Sequence, residues 1–377
     1  MKLNSNYILA LTIAFTSIHT FAQDIKNENT IFVGSYTENE GFVDGQADGI
    51  YTINQNTVSG ELTMGTTVAK LMNPSFVKVS KDAKYLFSIS ELVKSEAESG
   101  FIYSYKINKD NSLTQISKLS THGFAPCHIE IDKSGKYVFI SNYLGGVVMM
   151  YEVAENGNLK EKQQIDLANP EQSHAHSVNI SEDNKHAYIA DLGNDKIWIY
   201  DLDAENGSLT PNTQKFAEVA DGAGPRHFSF AKDGKFGYAV NELNSSISTF
   251  QVLENGGLQL LQNISTLPAG FINKNSGAEI QVHPSGKFLY SSNRGANNIS
   301  AFKIDENTGE LSLISFTSTE GKTPRNFSIS PDGQFLYAAN QDTGNISSFK
   351  IDLESGELTL IGTVLEAKKP VCLEFVE

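Results

Sequence analysis

Histidine, glutamate and asparagine side chains recur at intervals of about fifty residues, each a few positions before a polar turn. When the segments are aligned on these turns, each has a triplet of residues at the start of a predicted strand. The third residues of these triplets form one column. His or Glu in such a column can take a proton from water or from a carbon acid. The column contains Phe76, His128, His176, His227, Glu279, Asn326 and Cys372.

A second column lies where the next apolar segment ends, and it includes Glu91, Glu242 and Arg294. Arg226 and Arg325 stand one residue before the first column. An antiparallel return brings the second column back to the same face as the first. Arginine can pair with a carboxylate or phosphate and can stabilise an oxyanion. The two columns therefore predict a site for an anionic substrate whose carbonyl group develops charge.

Other kinds of site have less support in these residues. The chain has no Gly-x-Ser-x-Gly elbow, which argues against a serine acyl-enzyme. The histidine column and Glu279 could together bind a metal ion. However, His174-Ala175-His176 is the only short metal-ligand motif that supports this interpretation. We expect no metal and no cofactor. For Asn142, Asp191 and Asn340, a simpler interpretation is a hydrogen bond to the backbone of the neighbouring turn.

The elements that must position these columns follow from an internal repeat. A turn of the form polar-Gly-polar-Leu recurs six times, and Asn111-Ser112-Leu113 fills the one gap. Each unit also has a second polar turn of the Asp-Gly-Lys kind, and short alternating apolar segments flank both turns. Such segments indicate antiparallel hairpins, and no sustained helical period is present. The Gly turns are Ser59–Leu62, Asn156–Leu159, Asn206–Leu209, Asn255–Leu258, Thr308–Leu311 and Ser355–Leu358.

Seven units of about fifty residues with four short strands each predict an all-β, seven-bladed β-propeller with four-stranded antiparallel blades. The last segment, Pro370–Val376, resembles the first strand of a unit that has nothing after it. The segment from Ile31 supplies the three missing strands. We therefore expect one blade to be closed by the N- and C-terminal strands.

Composition limits the partners. The chain has 377 residues and a formal net charge of −15, which argues against polyanions such as nucleic acid and anionic membranes. Its only cysteines, Cys127 and Cys372, fall in units that are not neighbours in the ring. Since a disulfide needs close Cα atoms, two free thiols are expected. We expect a monomer that binds a small molecule.

The first 22 residues have the pattern of a secretory signal peptide. Lys2 precedes the apolar run Tyr7–Phe15, and Thr20-Phe21-Ala22 ends in a small residue. A membrane anchor is the alternative, but the run is too short to span a bilayer. The predicted organisation is a signal peptide over 1–22, cleaved after Ala22, and a single propeller domain over 23–377. A periplasmic or secreted location follows.

Several runs of the mature chain resemble the seven-bladed lactonase family, which includes bacterial 6-phosphogluconolactonase and fungal carboxy-cis,cis-muconate cyclase. The resemblance rests on Gly224-Pro225-Arg226-His227-Phe228 followed by Val240–Ser246 (VNELNSS), and it extends over the whole mature chain. Further runs that match are His176–Asn179, Leu289–Gly295 and Thr323–Phe327.

The resemblance implies hydrolysis of a sugar lactone, of the 6-phosphogluconolactone kind or another aldonolactone. It implies four catalytic positions, His176, Arg226, Glu242 and Arg294, with either His176 or Glu242 activating water. Two alternatives stay open: a cycloisomerase of the cyclase type and a propeller that binds a ligand without turnover. The expected substrate-binding residues are Glu91, His128, His227, Glu279, Arg325 and Asn326.

Overall fold

The structure is a computed structural model that describes residues 28–41 and 43–376. Within these residues, 28 strands form seven four-stranded antiparallel sheets. The predicted signal peptide and its cleavage site lie outside the described residues. The seven-bladed propeller predicted from the repeat is confirmed.

Six blades are continuous in the chain. The strands are numbered along the chain, and the order given for each blade runs from the channel outward. Blade one comprises β4(Val77–Val79), β5(Tyr85–Ser90), β6(Phe101–Ile107) and β7(Leu113–Ser120); blade two β8(Phe124–Ile131), β9(Tyr137–Leu144), β10(Val147–Val153) and β11(Leu159–Asp166); blade three β12(Ala175–Ile180), β13(His186–Asp191), β14(Lys196–Asp203) and β15(Ser208–Glu218). Blade four comprises β16(Pro225–Phe230), β17(Phe236–Asn241), β18(Ser246–Val252) and β19(Leu258–Ser265); blade five β20(Ser276–Val282), β21(Phe288–Arg294), β22(Asn298–Ile304) and β23(Leu311–Ser318); blade six β24(Pro324–Ile329), β25(Phe335–Asn340), β26(Asn345–Ile351) and β27(Leu358–Glu366).

Blade seven is closed by both ends of the described chain. Its order is β28(Pro370–Phe375), β1(Glu28–Ser35), β2(Ile50–Asn56) and β3(Leu62–Ala69). Strands β28 and β1 pair antiparallel, with Phe375 opposite Ile31 and Cys372 opposite Gly34. The predicted closure is therefore confirmed, and hydrogen bonds between the first and last strands complete the ring.

Burial follows position in the blade. The second strands are almost wholly buried, as in β17 and β25, because each is covered on both faces by neighbouring blades. The outermost strands are largely exposed, and in β11 only Leu159 and Ile165 are buried. Apolar clusters fill each interface between blades. One of them joins Phe139 and Val148 of blade two to Val178 and Ile189 of blade three.

The recurring Gly turns contact the preceding blade. The hydroxyl of Tyr290 in blade five donates to the carbonyl of Gly356 in blade six at 2.9 Å. A Cβ on Gly356 would lie 2.6 Å from the Phe288 ring, so only glycine fits. The same close approach joins Gly60 to Phe335, Gly157 to Tyr85, Gly207 to Tyr137, Gly256 to His186 and Gly309 to Phe236.

Helix is minimal, as expected: the only helical element among the described residues is a 3₁₀ turn, Leu192–Asn194. In this part of the chain, no helix has the length and apolar character required to cross a membrane. Cys127 and Cys372 are buried free thiols, as the sequence predicted.

Candidate functional site

Three layers of side chains line one end of the channel. The outer layer follows the ends of the second strands. In each blade, the middle layer and the floor are two consecutive residues at or near the start of the inner strand. The outer layer contains Tyr36, Glu91, Tyr143, Leu192, Glu242, Arg294 and Gln341. The middle layer contains Ser75, Cys127, His176, Arg226, Ala278, Arg325 and Val371. The floor contains Phe76, His128, Ser177, His227, Glu279, Asn326 and Cys372.

Bulges in the inner strands allow two consecutive side chains to reach the channel. In blade four the pairing passes from Pro225–Asn241 to His227–Val240, so Arg226 has no partner in the ladder. The same shift occurs at Cys127, His176 and Arg325. An unpaired bulge residue is turned out of the regular alternation. As a result, the side chains of Arg226 and His227 contact each other, with Nη1 and Nε2 at 3.2 Å.

The structure corrects the alignment of blade three by one residue. There the pairing passes from Ala175–Asp191 to Ser177–Ala190, so His176 is the bulge residue. It is equivalent to Arg226 of blade four and not to His227, and Ser177 occupies the floor position. His174, which the sequence alignment placed first in the triplet, stacks on Tyr143 of blade two at 4.3 Å between ring centroids.

Glu242 is held between two arginines. Its Oε2 lies 3.0 Å from Nε of Arg226 and 2.7 Å from Nη2 of Arg294. Burial alone would raise the pKa of Glu242, but the guanidinium groups of Arg294 and Arg226 outweigh burial and hold it below its usual value. The arginines are anchored in turn, because they donate to the carbonyls of Ala278 at 2.8 Å and Gly277 at 2.9 Å.

His176 is buried beside this cluster and uncharged at neutral pH. Burial lowers its pKa well below the usual value, and the positive charge of Arg226 lowers it further. Its Nδ1 has no hydrogen-bond partner among the described residues. The ring packs edge-on against His227, with centroids 5.2 Å apart. Burial, with the charges of Arg294 and Arg325, also lowers the pKa of Arg226 to about 10.

The expected substrate-binding residues His128, His227, Glu279 and Asn326 lie together in the floor. His227 Nδ1 is 3.1 Å from Glu279 Oε1, and Asn326 donates to Glu279 Oε2 at 2.5 Å. The His128 ring packs between Phe76 and His227, at 4.8 and 5.2 Å. These contacts close the channel below Arg226. Contact of these four residues with substrate stays a prediction.

The other two expected residues, Glu91 and Arg325, lie across the channel from Glu242. The Tyr36 hydroxyl donates to Glu91 Oε2 at 2.9 Å, and the Arg325 guanidinium lies 5.6 Å from the Tyr36 ring centroid. In the range that the structure describes, no group of three or more His, Cys, Asp or Glu residues could hold a metal ion. The simpler interpretation holds for Asn142 and Asn340, which donate to the backbone carbonyls of Thr121 and Thr319.

Sequence reasoning missed Tyr36 as part of the outer layer. Tyr36 could have been found by extending the column to the N-terminal strand, where it follows Ser35 as Glu242 follows Asn241. A stronger signal lies in composition. The whole chain has three arginines, Arg226, Arg294 and Arg325, and the structure brings all three to this end of the channel. Every other basic side chain, apart from histidine, is lysine.

Two described cavities lie elsewhere. One, of about 910 Å³, is a cleft between blades six and seven that is lined by Tyr51, Glu366 and Lys368. The other, of about 680 Å³, lies at the opposite end of the channel, beside Lys78 and Glu130. Neither is lined by an arginine, whereas the three layers contain all three arginines of the chain.

Comparison with known proteins agrees with this architecture. The family model described as "Lactonase, 7-bladed beta-propeller" matches residues 30–375. A protein of Formosa agariphila named 6-phosphogluconolactonase is 38% identical over 313 residues, which cover 79% of this chain and 86% of the relative. One of the same name from Bacillus subtilis is 32% identical over 305 residues, with 78% and 83% covered.

Among solved structures, the periplasmic gluconolactonase of Pseudomonas aeruginosa is similar, with a TM-score of 0.86 and 30% identity. The match covers 93% of this chain and 99% of that one. A Bacteroides fragilis structure described as a putative 6-phosphogluconolactonase has a TM-score of 0.84 and 32% identity, with 93% and 99% covered. The repeat, the closure of blade seven and these matches together show that the chain belongs to the seven-bladed β-propeller lactonase family.

Proposed function

We propose that this protein hydrolyses a sugar lactone to the open-chain acid at the arginine-lined end of its channel. The observation that carries the proposal is the cluster in which Glu242 fixes Arg226 and Arg294 beside the uncharged His176. The names of the relatives, 6-phosphogluconolactonase and gluconolactonase, support the same class of substrate.

The arginine pair suits the carbonyl group of the lactone. When water attacks the carbonyl carbon, negative charge develops on the carbonyl oxygen, and preorganised donors at that oxygen lower the barrier. Arg226 and Arg294 are already held by Glu242 and by backbone carbonyls. Little reorganisation would therefore be needed during the reaction.

We assign the proton acceptor for the attacking water to His176. Glu242 is the weaker candidate, because two guanidinium groups stabilise its ionised form and reduce its basicity. The free His176 is a weak base because burial, and after it the charge of Arg226, lowers its pKa. Negative charge on the substrate would offset the nearby arginines and raise that pKa. The proton then passes to the ring oxygen as the C–O bond breaks, which leaves a hydroxyl group and a carboxylic acid. The acid ionises to the carboxylate and releases a proton to solvent.

The test is proton release by purified protein that starts at Gln23, with 6-phosphogluconolactone and gluconolactone as substrates and a correction for spontaneous opening. We expect kcat/KM to fall at least about 100-fold in both site variants. Arg226→Ala loses a donor to the developing oxyanion, and Glu242→Gln loses the carboxylate that fixes both arginines. Lys235→Gln, an exposed change in blade four, is the control. Wild-type kinetics in both site variants would refute the assignment.

We also propose that the protein acts after export to the periplasm. The signal-peptide pattern of residues 1–22 supports this location, as does the periplasmic assignment in the name of the similar Pseudomonas aeruginosa protein. Fractionation of the native host with an antibody against the protein tests it. Recovery of an uncleaved chain from the cytoplasm would contradict the proposal.

A further inference from the structure

The three arginines of the chain differ in how far their charge is already satisfied. Arg226 and Arg294 share the carboxylate of Glu242, and each also donates to a backbone carbonyl. Arg325 has no hydrogen bond and no carboxylate within ion-pair distance among the residues that the structure describes. It is the arginine of the site whose donors are uncommitted.

Arg325 lies over an aromatic ring. Its guanidinium carbon lies 5.6 Å from the centroid of the Tyr36 ring, and Tyr36 is fixed by its hydrogen bond to Glu91. A cation–π contact of this kind uses none of the N–H groups of the guanidinium, so they stay available for a planar anion. Burial opposes its charge, but Tyr36 and Glu91 hold the pKa of Arg325 above its usual value. The group is therefore a permanent cation.

Arg325 lies outside the Glu242 cluster but at the same end of the channel. Arg226 and Arg325 occupy the same bulge position in blades four and six. The residue between them in blade five is Ala278, whose side chain is a single methyl group. The positive charges are close enough for Arg325 to lower the pKa of Arg226 and of Arg294. An anion placed beside Arg325 would relieve that repulsion.

We propose that Arg325 is a specificity-determining residue that binds a second anionic group of the substrate, a phosphate or a carboxylate, while Arg226 and Arg294 act on the lactone carbonyl. The inference rests on the proposed function. It divides the three arginines into a reacting pair and a selecting group. The protein then discriminates between lactones that do and do not carry a negative charge away from the ring carbonyl.

The kinetic test compares Arg325→Gln with the wild type on 6-phosphogluconolactone and on gluconolactone. Loss of a charged hydrogen-bonding partner should reduce kcat/KM for the phosphorylated lactone about 10- to 100-fold, with less than about threefold change for the neutral one. Arg325→Lys keeps the charge without the planar fork and should retain part of the selectivity. Lys322→Gln, an exposed change in the same loop, controls for long-range attraction. Equal changes for both lactones, or none, would overturn the proposal.

Ligand binding gives a readout that does not require turnover. Calorimetric titration compares gluconate, which has one carboxylate, with two ligands that carry a second anionic group. These are 6-phosphogluconate, which adds a phosphate, and glucarate, which adds a carboxylate. We expect at least one of the two ligands with a second anionic group to bind more tightly than gluconate. We expect Arg325→Gln to abolish this difference. If the wild type hydrolyses no lactone but keeps this contrast, the proposed function fails and the assignment of Arg325 stands. If gluconate binds as tightly as both others, the assignment fails.

Discussion

Buried histidines make the site sensitive to acid. Burial lowers the pKa of His128 and of His176 well below 6.5, the value in an unfolded chain. Between the folded and unfolded values, the unfolded chain binds more protons than the native protein. The stability that these uncharged rings contribute is therefore complete above pH 6.5 and decreases as the pH falls below it.

His128 allows this effect to be measured away from the proposed proton acceptor. The free energy of unfolding of the wild type should fall between pH 6.5 and 5, by about 1.4 kcal/mol per pH unit for each such histidine. His128→Gln removes one titrating ring, so its stability should fall less steeply over the same range. Urea unfolding at several pH values measures both slopes. Parallel curves for wild type and variant would contradict a neutral, buried His128.

The types of site residue were predictable from sequence, but their exact register was not. The two columns correctly brought Arg226, Glu242 and Arg294 together, because hairpin turns fix where each strand starts and ends. Blade three was misaligned by one residue because His174 and His176 both fit a column of histidines. Only the bulge at His176 distinguishes them, and a bulge depends on backbone pairing that one sequence does not display.

At the scale of elements, the Gly turns stabilise the contacts between blades. Gly309 has a φ of +73° and would place a Cβ 2.4 Å from the Phe236 ring. Gly135, in the other kind of turn, has a φ of +75° and no atom within 4 Å of such a Cβ. The two glycines thus have the same backbone requirement, but only one has a steric requirement.

Alanine substitution at both positions separates the two requirements. Gly135→Ala should cost about 1 kcal/mol, from the left-handed backbone alone. Gly309→Ala should cost about 1–3 kcal/mol more, because the ring of Phe236 or the turn must shift in a packed interface. Chemical denaturation of the two variants under one set of conditions measures the difference. Equal losses would show that the repeat keeps glycine for its backbone conformation only.

These turns also show where sequence reasoning stops at the element scale. The Asn-Gly and Thr-Gly pairs predicted hairpins, because glycine accepts positive φ values that other residues avoid. They did not predict that Tyr188, Tyr238, Tyr290 and Tyr337 would donate to carbonyls in the next blade's turn. Those hydrogen bonds depend on the angle between neighbouring sheets. The sequence pattern within one sheet does not determine that angle.

At the scale of the whole molecule, the ring is closed by a blade that both chain ends share. To open the ring at blade seven, the backbone pairing of β28 with β1 must break. The hydrogen bond from Leu373 N to Asn326 Oδ1 and the ion pair between Lys78 and Glu374 also join β28 to its neighbours. Elsewhere, adjacent blades are joined by side-chain packing, by single hydrogen bonds such as that from Tyr290 to the Gly356 carbonyl, and by one connecting segment, but not by strand pairing.

A circular permutant tests whether shared pairing is what keeps the ring shut. The described ends lie side by side, since Val376 N donates to Thr30 O at 3.0 Å, so a short linker can join them. New ends between Pro170 and Glu171, in the exposed connection from blade two to blade three, make all seven blades continuous. We expect this permutant to fold and to unfold about tenfold faster than the wild type or more, because no strand pairing closes its seam.

The matched control opens the chain between Lys109 and Asp110, within blade one, so that strands from both ends again share a blade. Its unfolding rate should stay close to that of the wild type, since separation of the ends still requires the pairing of β6 with β7 to break. Stopped-flow unfolding in urea measures all three rates with the same linker in both permutants. If the 170/171 permutant unfolds as slowly as the control, packing between blades suffices to hold the ring. The split blade would then reflect only where the chain starts.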